Sequence, residues 1–478
     1  MDTASEKSKI KKFLQKNAGK KVVIVQGLGF VGAVMAIVVA NSENEEYAVI
    51  GVDLPDSIEK IDAMNNGIFP IKSGDPKVSE YFNNAIKKEN FLATSNSFAY
   101  SKADVIIIDI NLDVYKKSDP DKHLLGYEIN LSGFSNAVRI ISQNCKENVL
   151  VLVETTVPPG TCEKIVKPII EEEFNKRKLD HNYKIGHSYE RVMPGPNYID
   201  SIKNFYRVYS GIDEESANSL EKFLKTIIKT DQFPLTRLSN TTASEMGKVL
   251  ENSFRAMNIA FIQEWTEFAE NSGVNLFEVI KAIRMRPTHV NIMQPGLGAG
   301  GYCLTKDSLL ASWACKEFYG SGSLYQIEKA IEINDQMPLH TYKTIKKYFT
   351  NNISGKRFLI LGISYLKNIG DTRYTPVELL YDKLHADGAI IKLHDPFVTY
   401  WPEKNLTIDN SDYIFKKSYD AIVIGTQHDY YFKESRLDSF FANSNKFVVF
   451  DPHGSVSDEL LEKYCNKHDF KLNGRGDV

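Results

Sequence analysis

Short β-branched runs alternate with stretches of helical spacing through the first half of the chain and again through its last quarter. "KVVIV" at residues 21–25 reads as a buried strand, and the apolar run "FVGAVMAIVVA" after a glycine turn reads as a helix. "YAVIGVD", "ADVIIIDI" (103–110), "NVLVLVETT" (148–156) and "FYRVYSG" (205–211) predict further strands with helices between them. Such alternation implies a parallel sheet covered on both faces. The middle differs: "TASEMGKVLENSFRAMNIAFIQEWTEFAENSG" keeps apolar positions at helical spacing throughout, and "TKDSLLASWACKEF" and "LYQIEKAIEINDQMPLHTYKTIKKYF" extend the helical region. Strand–helix alternation returns with "RFLILGISY", "AIIKLHDP", "YDAIVIGTQ" and "KFVVFDP". The pattern predicts an α/β chain of two doubly wound domains, residues 1–236 and 351–478, joined by a mostly helical domain over 237–350 whose long helix suits dimerisation.

A length of 478 residues fits two or three domains, since single cores stop growing at roughly 250 to 300 residues. With 58 basic against 61 acidic residues the formal net charge is -3, which gives no general attraction for nucleic acid or an anionic membrane. The charged N-terminus lacks the apolar stretch of a secretion signal, and the longest apolar run is too short to span a bilayer. Five scattered cysteines without a CxxC pair argue against a disulfide framework and against a metal site. A cytoplasmic protein that binds neither nucleic acid nor membrane is expected.

Gly27, Gly29 and Gly32 stand in GxGxxG spacing between the first strand and the first helix, and Asp53 ends the second strand. A glycine-rich turn with a surface aspartate is the plain alternative, but the strand–turn–helix–strand context is the one a Rossmann-like dinucleotide site requires. The glycines let backbone approach a pyrophosphate at a helix N-terminus, and the carboxylate accepts from a ribose hydroxyl. Gly27, Leu28, Gly29, Phe30, Val31, Gly32 and Asp53 are therefore the cofactor-binding candidates, for NAD rather than NADP because Asp53 would repel a 2'-phosphate.

"GLGAGGYCLTKD" (296–307) places Cys303 directly behind a glycine loop, with Asp307 four residues later. Taken alone, this cysteine would be read as a small buried hydrophobe. Downstream of a nicotinamide site it acquires a use: a thiolate in a loop open to substrate can add to an aldehyde, and oxidation of that adduct gives a thioester that water cleaves to an acid.

The segments "GLGFVG", "ETTVPPGT", "ERVMPG", "SEMGKVLENSFRAMNIAF", "GLGAGGYCLTKD", "GDTRYTPVELL" and "HDP" resemble, in order and spacing, those of the nucleotide-sugar 6-dehydrogenases, and together they extend over almost the whole chain. The resemblance implies NAD-dependent, four-electron oxidation of the 6-hydroxymethyl of a nucleotide sugar to a carboxylate, in a homodimer or higher homo-oligomer. It assigns Cys303 as nucleophile, Lys248 and Asn252 as oxyanion stabilisers sharing a helix face, and Thr156 with Asp307 as the pair that positions water and handles protons. Glu190 resembles the base for thioester hydrolysis, and Arg373 the arginine at the cofactor phosphates. Arg191, Arg286, His289, Gly300 and Lys367, together with Glu190, Lys248 and Asn252, are the implied substrate-binding positions.

The chain departs from the family pattern at Tyr189, where proline is usual, at Leu366, where lysine is usual, and at His289 and His453, where relatives often carry arginine. "ERVMPG" resembles the form found in UDP-N-acetylhexosamine dehydrogenases, so a UDP-2-acetamido sugar is expected, with UDP-glucose as the alternative. An ordinary two-electron hydroxy-acid dehydrogenase would need no such cysteine. A scaffold that had lost its chemistry would be expected to have lost Cys303, Lys248 or Glu190, and all three remain.

Overall fold

A computed structural model of the chain describes residues 3–71, 73–189, 191–192 and 195–478. They form two compact units, neither a single run of sequence. The first takes the residues up to Tyr115, Glu128–Leu250 and Trp313–Ser323; the second takes Lys116–Tyr127, Glu251–Ser312 and Leu324–Val478.

Eight strands build the sheet of the first unit: β1 (Lys21–Gln26), β2 (Tyr47–Val52), β3 (Phe91–Thr94), β4 (Val105–Ile108), β5 (Leu150–Val153), β6 (Lys184–His187), β7 (Val208–Gly211) and β8 (Thr236–Arg237). Their order is β8-β7-β6-β5-β4-β1-β2-β3. β1 sits centrally and pairs parallel on both sides, Val23 lying opposite Val49 of β2 and Val105 of β4. β2, β4 and β5 are buried along their whole length, as strands covered on both faces must be. The predicted parallel run holds from β1 to β6. At the segment predicted over 205–211 the strand is confined to β7 and runs antiparallel to β6, with Gly186 opposite Gly211. Strand composition carries no direction; the strand ends at Gly211, where a Cβ would lie 2.3 Å from the Ala217 nitrogen of the helix that follows. Helix α1 (Phe30–Ala40) buries every residue from Gly32 to Ala40, which explains its apolar run without any membrane. Among the described residues no helix is long and apolar enough to cross one.

The predicted long helix is present as α2 (Thr241–Ser272), 32 residues or about 48 Å at the α-helical rise. It starts in the first unit and ends in the second, the division falling after Leu250. The second unit also holds most of α3 (Asp307–Glu317), all of α4 (Tyr325–Tyr348) and a five-stranded parallel sheet. That sheet comprises β9 (Arg357–Leu361), β10 (Ile390–His394), β11 (Ala421–Ile424), β12 (Val448–Asp451) and β13 (Asp469–Leu472), in the order β10-β9-β11-β12-β13.

Candidate active site

The turn between β1 and α1 has the form a dinucleotide needs. Gly27 holds φ +96°, and a Cβ there would lie 2.2 Å from the Asp109 carbonyl oxygen. At Gly32 a Cβ would lie 1.9 Å from the Gly27 oxygen, so both outer glycines are required for the turn to close. Gly29, the residue before the first turn of α1, is different: nothing stands within 4 Å of where its Cβ would be, and no side chain caps the helix. Leu28 is buried, Phe30 is partly exposed with its carbonyl accepting from the Tyr198 hydroxyl, and Val31 is half-buried. Asp53 accepts from Leu28 N at 3.2 Å and Leu54 N at 2.8 Å, and Lys60 Nζ lies 2.8 Å from its Oδ2. A helix N-terminus with bare backbone beside an anchored carboxylate fits the pyrophosphate and ribose of NAD.

In the second unit, Cys303 is exposed at the end of a loop held from behind. Gly298 and Gly301 have φ +116° and +81°. A Cβ on Gly300 would lie 2.6 Å from both Tyr365 Cβ and the Tyr374 oxygen, and one on Gly301 would lie 2.7 Å from the Tyr365 ring. Asn334 of α4 pairs with the Ala299 backbone in both directions, accepting from its N–H at 2.7 Å and donating to its carbonyl at 2.9 Å. The Cys303 carbonyl in turn accepts from Lys306 N and Asp307 N, so the cysteine sits immediately ahead of α3. Asp307 is buried; Asn252 donates to its Oδ2 at 2.8 Å and Lys306 Nζ lies 2.9 Å from its Oδ1. Arg373 is fixed by Asp371 through several hydrogen bonds, the shortest 2.6 Å. Burial works against its charge, but the hydrogen bonds to Asp371 and that carboxylate's charge hold its pKa above the ordinary arginine value. Burial also pushes the Tyr365 phenol up to about 12, with Asp371 and Cys303 adding to the rise.

Lys248 and Asn252 are each only 8% exposed. Around Lys248 the first unit supplies Tyr189, itself 4% exposed, whose ring centroid lies 5.7 Å from Lys248 Nζ. Tyr189 packs against the neighbouring α2 residue Gly247, where a Cβ would stand 3.4 Å from the tyrosine hydroxyl, ordinary contact distance. Arg191 lies over the same ring, its Cζ 5.2 Å from the centroid, and donates to the Tyr206 carbonyl at 2.9 Å. Glu190 lies outside the described residues. His187 is fully buried against Ser244, and burial, reinforced by the Lys248 and Arg207 charges, pulls its pKa down to about 3. Thr156 is half-exposed, whereas every other residue from Val149 to Cys162 is buried.

The other predicted substrate positions lie in the second unit. Arg286 and His289 are exposed around the short turn Pro287–His289, where His289 Nδ1 lies 2.8 Å from the Thr288 hydroxyl. Lys367 and Leu366 are exposed, Lys367 making only a loose 3.9 Å approach to Asp429. His453 follows β12, donates from Nε2 to the Gly425 carbonyl at 3.0 Å and stands beside Gly296 at the start of the cysteine loop. Burial lowers its pKa, which disfavours the charge an arginine would carry there. The residues missed in sequence are the supports: Lys306, Asn334 and Asp371. Lys306 and Asp371 lie within "CLTKD" and "GDTR", each one or two residues from the group it holds, and that adjacency was the available signal.

A dinucleotide turn and an exposed cysteine backed by buried lysine, asparagine and aspartate on one chain define an NAD-dependent oxidoreductase. Residues 20–228 match the NAD binding domain of the UDP-glucose/GDP-mannose dehydrogenase family, 242–336 its central domain and 359–458 its UDP binding domain. The UDP-N-acetyl-D-mannosamine dehydrogenase of Methanocaldococcus jannaschii is 29% identical over 458 residues, covering 94% of this chain and 96% of the relative. That of Campylobacter jejuni is 30% identical over 381 residues, 78% and 85% of the two chains. The solved UDP-D-ManNAc dehydrogenase of Pyrococcus horikoshii superposes with a TM-score of 0.79 at 27% identity, covering 96% of this chain and all of that one. The chain belongs to the UDP-glucose/GDP-mannose dehydrogenase family and is an NAD-dependent nucleotide-sugar dehydrogenase.

Proposed function

We propose that this enzyme oxidises the 6-hydroxymethyl of a UDP-N-acetylhexosamine, most closely UDP-N-acetyl-D-mannosamine, to the carboxylate in two successive two-electron steps, with Cys303 carrying the sugar between them. The observation that carries the proposal is the exposed Cys303 on a loop braced by Tyr365 and Asn334, next to the buried Asn252–Asp307–Lys306 group. The "ERVMPG" motif and the names of the relatives support the acetamido sugar.

Bound NAD supplies the hydride acceptor for each oxidation. Gly29 and the N-terminal turn of α1 would hold its pyrophosphate, Asp53 its ribose, and Arg373 would add positive charge for the phosphates. Cys303 adds as thiolate to the aldehyde carbon, forming a C–S bond while the carbonyl oxygen becomes an oxyanion. Lys248 and the second N–H of the Asn252 amide stabilise that oxygen, since the first is held by Asp307. After the second oxidation the sulfur carries a thioester. Water positioned by Thr156 and Asp307 attacks it with Glu190 as base, and the C–S bond breaks to return the thiolate and release the acid.

A second copy of the chain completes the proposed assembly. Met246, Leu250, Phe254, Phe261, Trp265 and Phe268 make an exposed apolar stripe along α2, at spacings of three, four and seven residues. Measuring NADH formed per sugar consumed, with UDP-N-acetylmannosamine, UDP-N-acetylglucosamine and UDP-glucose in parallel, tests the reaction: two NADH per acetamido sugar is the expected result. One NADH per sugar refutes the thioester route, and a preference for UDP-glucose refutes the sugar. Cys303→Ser should retain at most the first oxidation and show no sugar adduct by intact-protein mass spectrometry.

A further inference from the structure

We propose that Glu245 is a positioning residue that locks the Thr156 loop to the turn of α2 carrying Lys248. Glu245 is 1% exposed and stands three residues before Lys248 on the helix. Its carboxylate reaches across to the segment after Thr156, where Oε2 accepts from Gly160 N at 2.5 Å and Oε1 from Cys162 N at 2.8 Å. The buried Cys162 thiol hydrogen-bonds the same carboxylate and is held well above the usual thiol range by burial and by the Glu245 charge. Burial pushes the Glu245 carboxyl up to about 7, and the three donors are what hold it below the value that burial alone would give.

The loop is equally fixed at its other end. The Thr155 hydroxyl donates towards the carbonyls of Ile108 and Ile110 and accepts from Ile110 N at 2.9 Å, tying the exit of β5 to that of β4. Between, Thr161 donates to the Pro158 carbonyl, and Gly160 keeps φ +104° with the Tyr319 hydroxyl 2.5 Å from where a Cβ would be. Thr156, alone not buried in this stretch, thus has one anchor on the sheet and one on α2. A carboxyl taken out of water to bind two backbone N–H groups costs stability unless those bonds are good. Its position suits geometry more than strength: it fixes Thr156 against a helix turn whose Lys248 serves the same reaction. This inference rests on the roles proposed above for Thr156 and Lys248.

Glu245→Gln keeps shape but turns an N–H donor towards one of the two backbone donors, and Glu245→Asp keeps charge but is one methylene short. Each should lower kcat with NAD and UDP-N-acetylmannosamine about tenfold while shifting NAD affinity less than about threefold. Glu173→Gln is the control for loss of a buried carboxylate: Glu173 is 3% exposed in the same unit but pairs with Arg139 and Lys176, and its kcat should stay at the parent value for a similar fall in melting temperature. The decisive measurement is a double-mutant cycle. If Glu245 acts through Thr156, adding Glu245→Gln to Thr156→Ala should cost less than about twofold further in kcat. Effects that multiply, or a kcat loss in Glu173→Gln matching that of Glu245→Gln, overturn the proposal. Should Thr156→Ala keep full kcat, the role given to Thr156 falls and the positioning falls with it; should Thr156→Ala be slow and both Glu245 variants normal, only the positioning falls.

Discussion

Replacing Gly29 with alanine should leave the fold standing and weaken NAD binding, whereas the same change at Gly32 should prevent the first unit from folding. The difference is set by what each methyl meets. At Gly32 it would lie 1.9 Å from the Gly27 carbonyl oxygen, an approach that only a rebuilt turn could relieve. At Gly29 it meets no protein atom within 4 Å, and the backbone, at φ -79° and ψ -163°, suits alanine. The cost to the helix cap is about 0.5 to 1 kcal/mol. For the cofactor the methyl fills the space through which a phosphate oxygen would approach the N–H groups of α1. Losing one or two hydrogen bonds to a charged group, at about 1.5 kcal/mol each, weakens binding about ten- to a hundredfold. Titration calorimetry with NAD and a melting curve on each purified variant read both quantities. Unchanged NAD affinity in a folded Gly29→Ala protein would show that the pyrophosphate does not lie against this turn. Equal loss of melting temperature in the two variants would refute the steric argument itself.

Asp53→Ala should weaken NAD and admit NADP, because Lys60, now paired with Asp53 at 2.8 Å, would be left to attract a 2'-phosphate; unchanged kcat/KM for both cofactors would contradict this. His187 has its pKa lowered from 6.5 to about 3, so below about pH 6.5 the unfolded chain binds a proton that the folded one refuses. Stability should therefore fall as pH drops from 6.5 towards 3, with this group contributing at most about 1.4 kcal/mol per pH unit, and His187→Gln should flatten that part of the melting-temperature profile; an unaltered slope would show that other groups carry it. Trp265→Glu, towards the C-terminal end of the α2 stripe, should convert a dimer to monomers in light scattering, and a mass unchanged from the parent would place the interface elsewhere.

What could be read in sequence was what repeats locally. The glycine turn, the strands around it and the long helix announce themselves through spacing within a few residues, and α2 begins and ends within one residue of the predicted stretch. The strands left unread, Phe91–Thr94, Lys184–His187 and Asp469–Leu472, have four residues each, and the hairpin Val114–Ser118 with Leu124–Ile129 carries mostly polar or exposed positions. Such segments become strands because a neighbour supplies hydrogen bonds, which no local pattern records. The site followed the same division. Cys303, Lys248, Asn252 and Asp307 are candidates through their motifs, yet the Asn252–Asp307 bond joins residues 55 positions apart, and the support of Ala299 by Asn334 spans 35. The resemblance proposes a chemistry for Cys303 but says nothing of what braces it.

The strand order of both sheets has a bearing on how the protein is made. In the first, β2 and β3 add outward on one side of β1, then β4 and β5 to β8 add outward in turn on the other. In the second, β10 joins one side of β9, and β11, β12 and β13 extend the other. No strand has to be inserted between two that are already joined. A chain emerging from the ribosome can therefore lay down each sheet from its centre as it is synthesised, every new strand docking on an edge already waiting for it. Two edges stay open for longer, however: β1 must wait through the synthesis of β2 and β3 before β4 covers it, and β3 stays at the rim of the finished sheet, so these two edges are the ones most exposed to wrong pairing with another nascent chain.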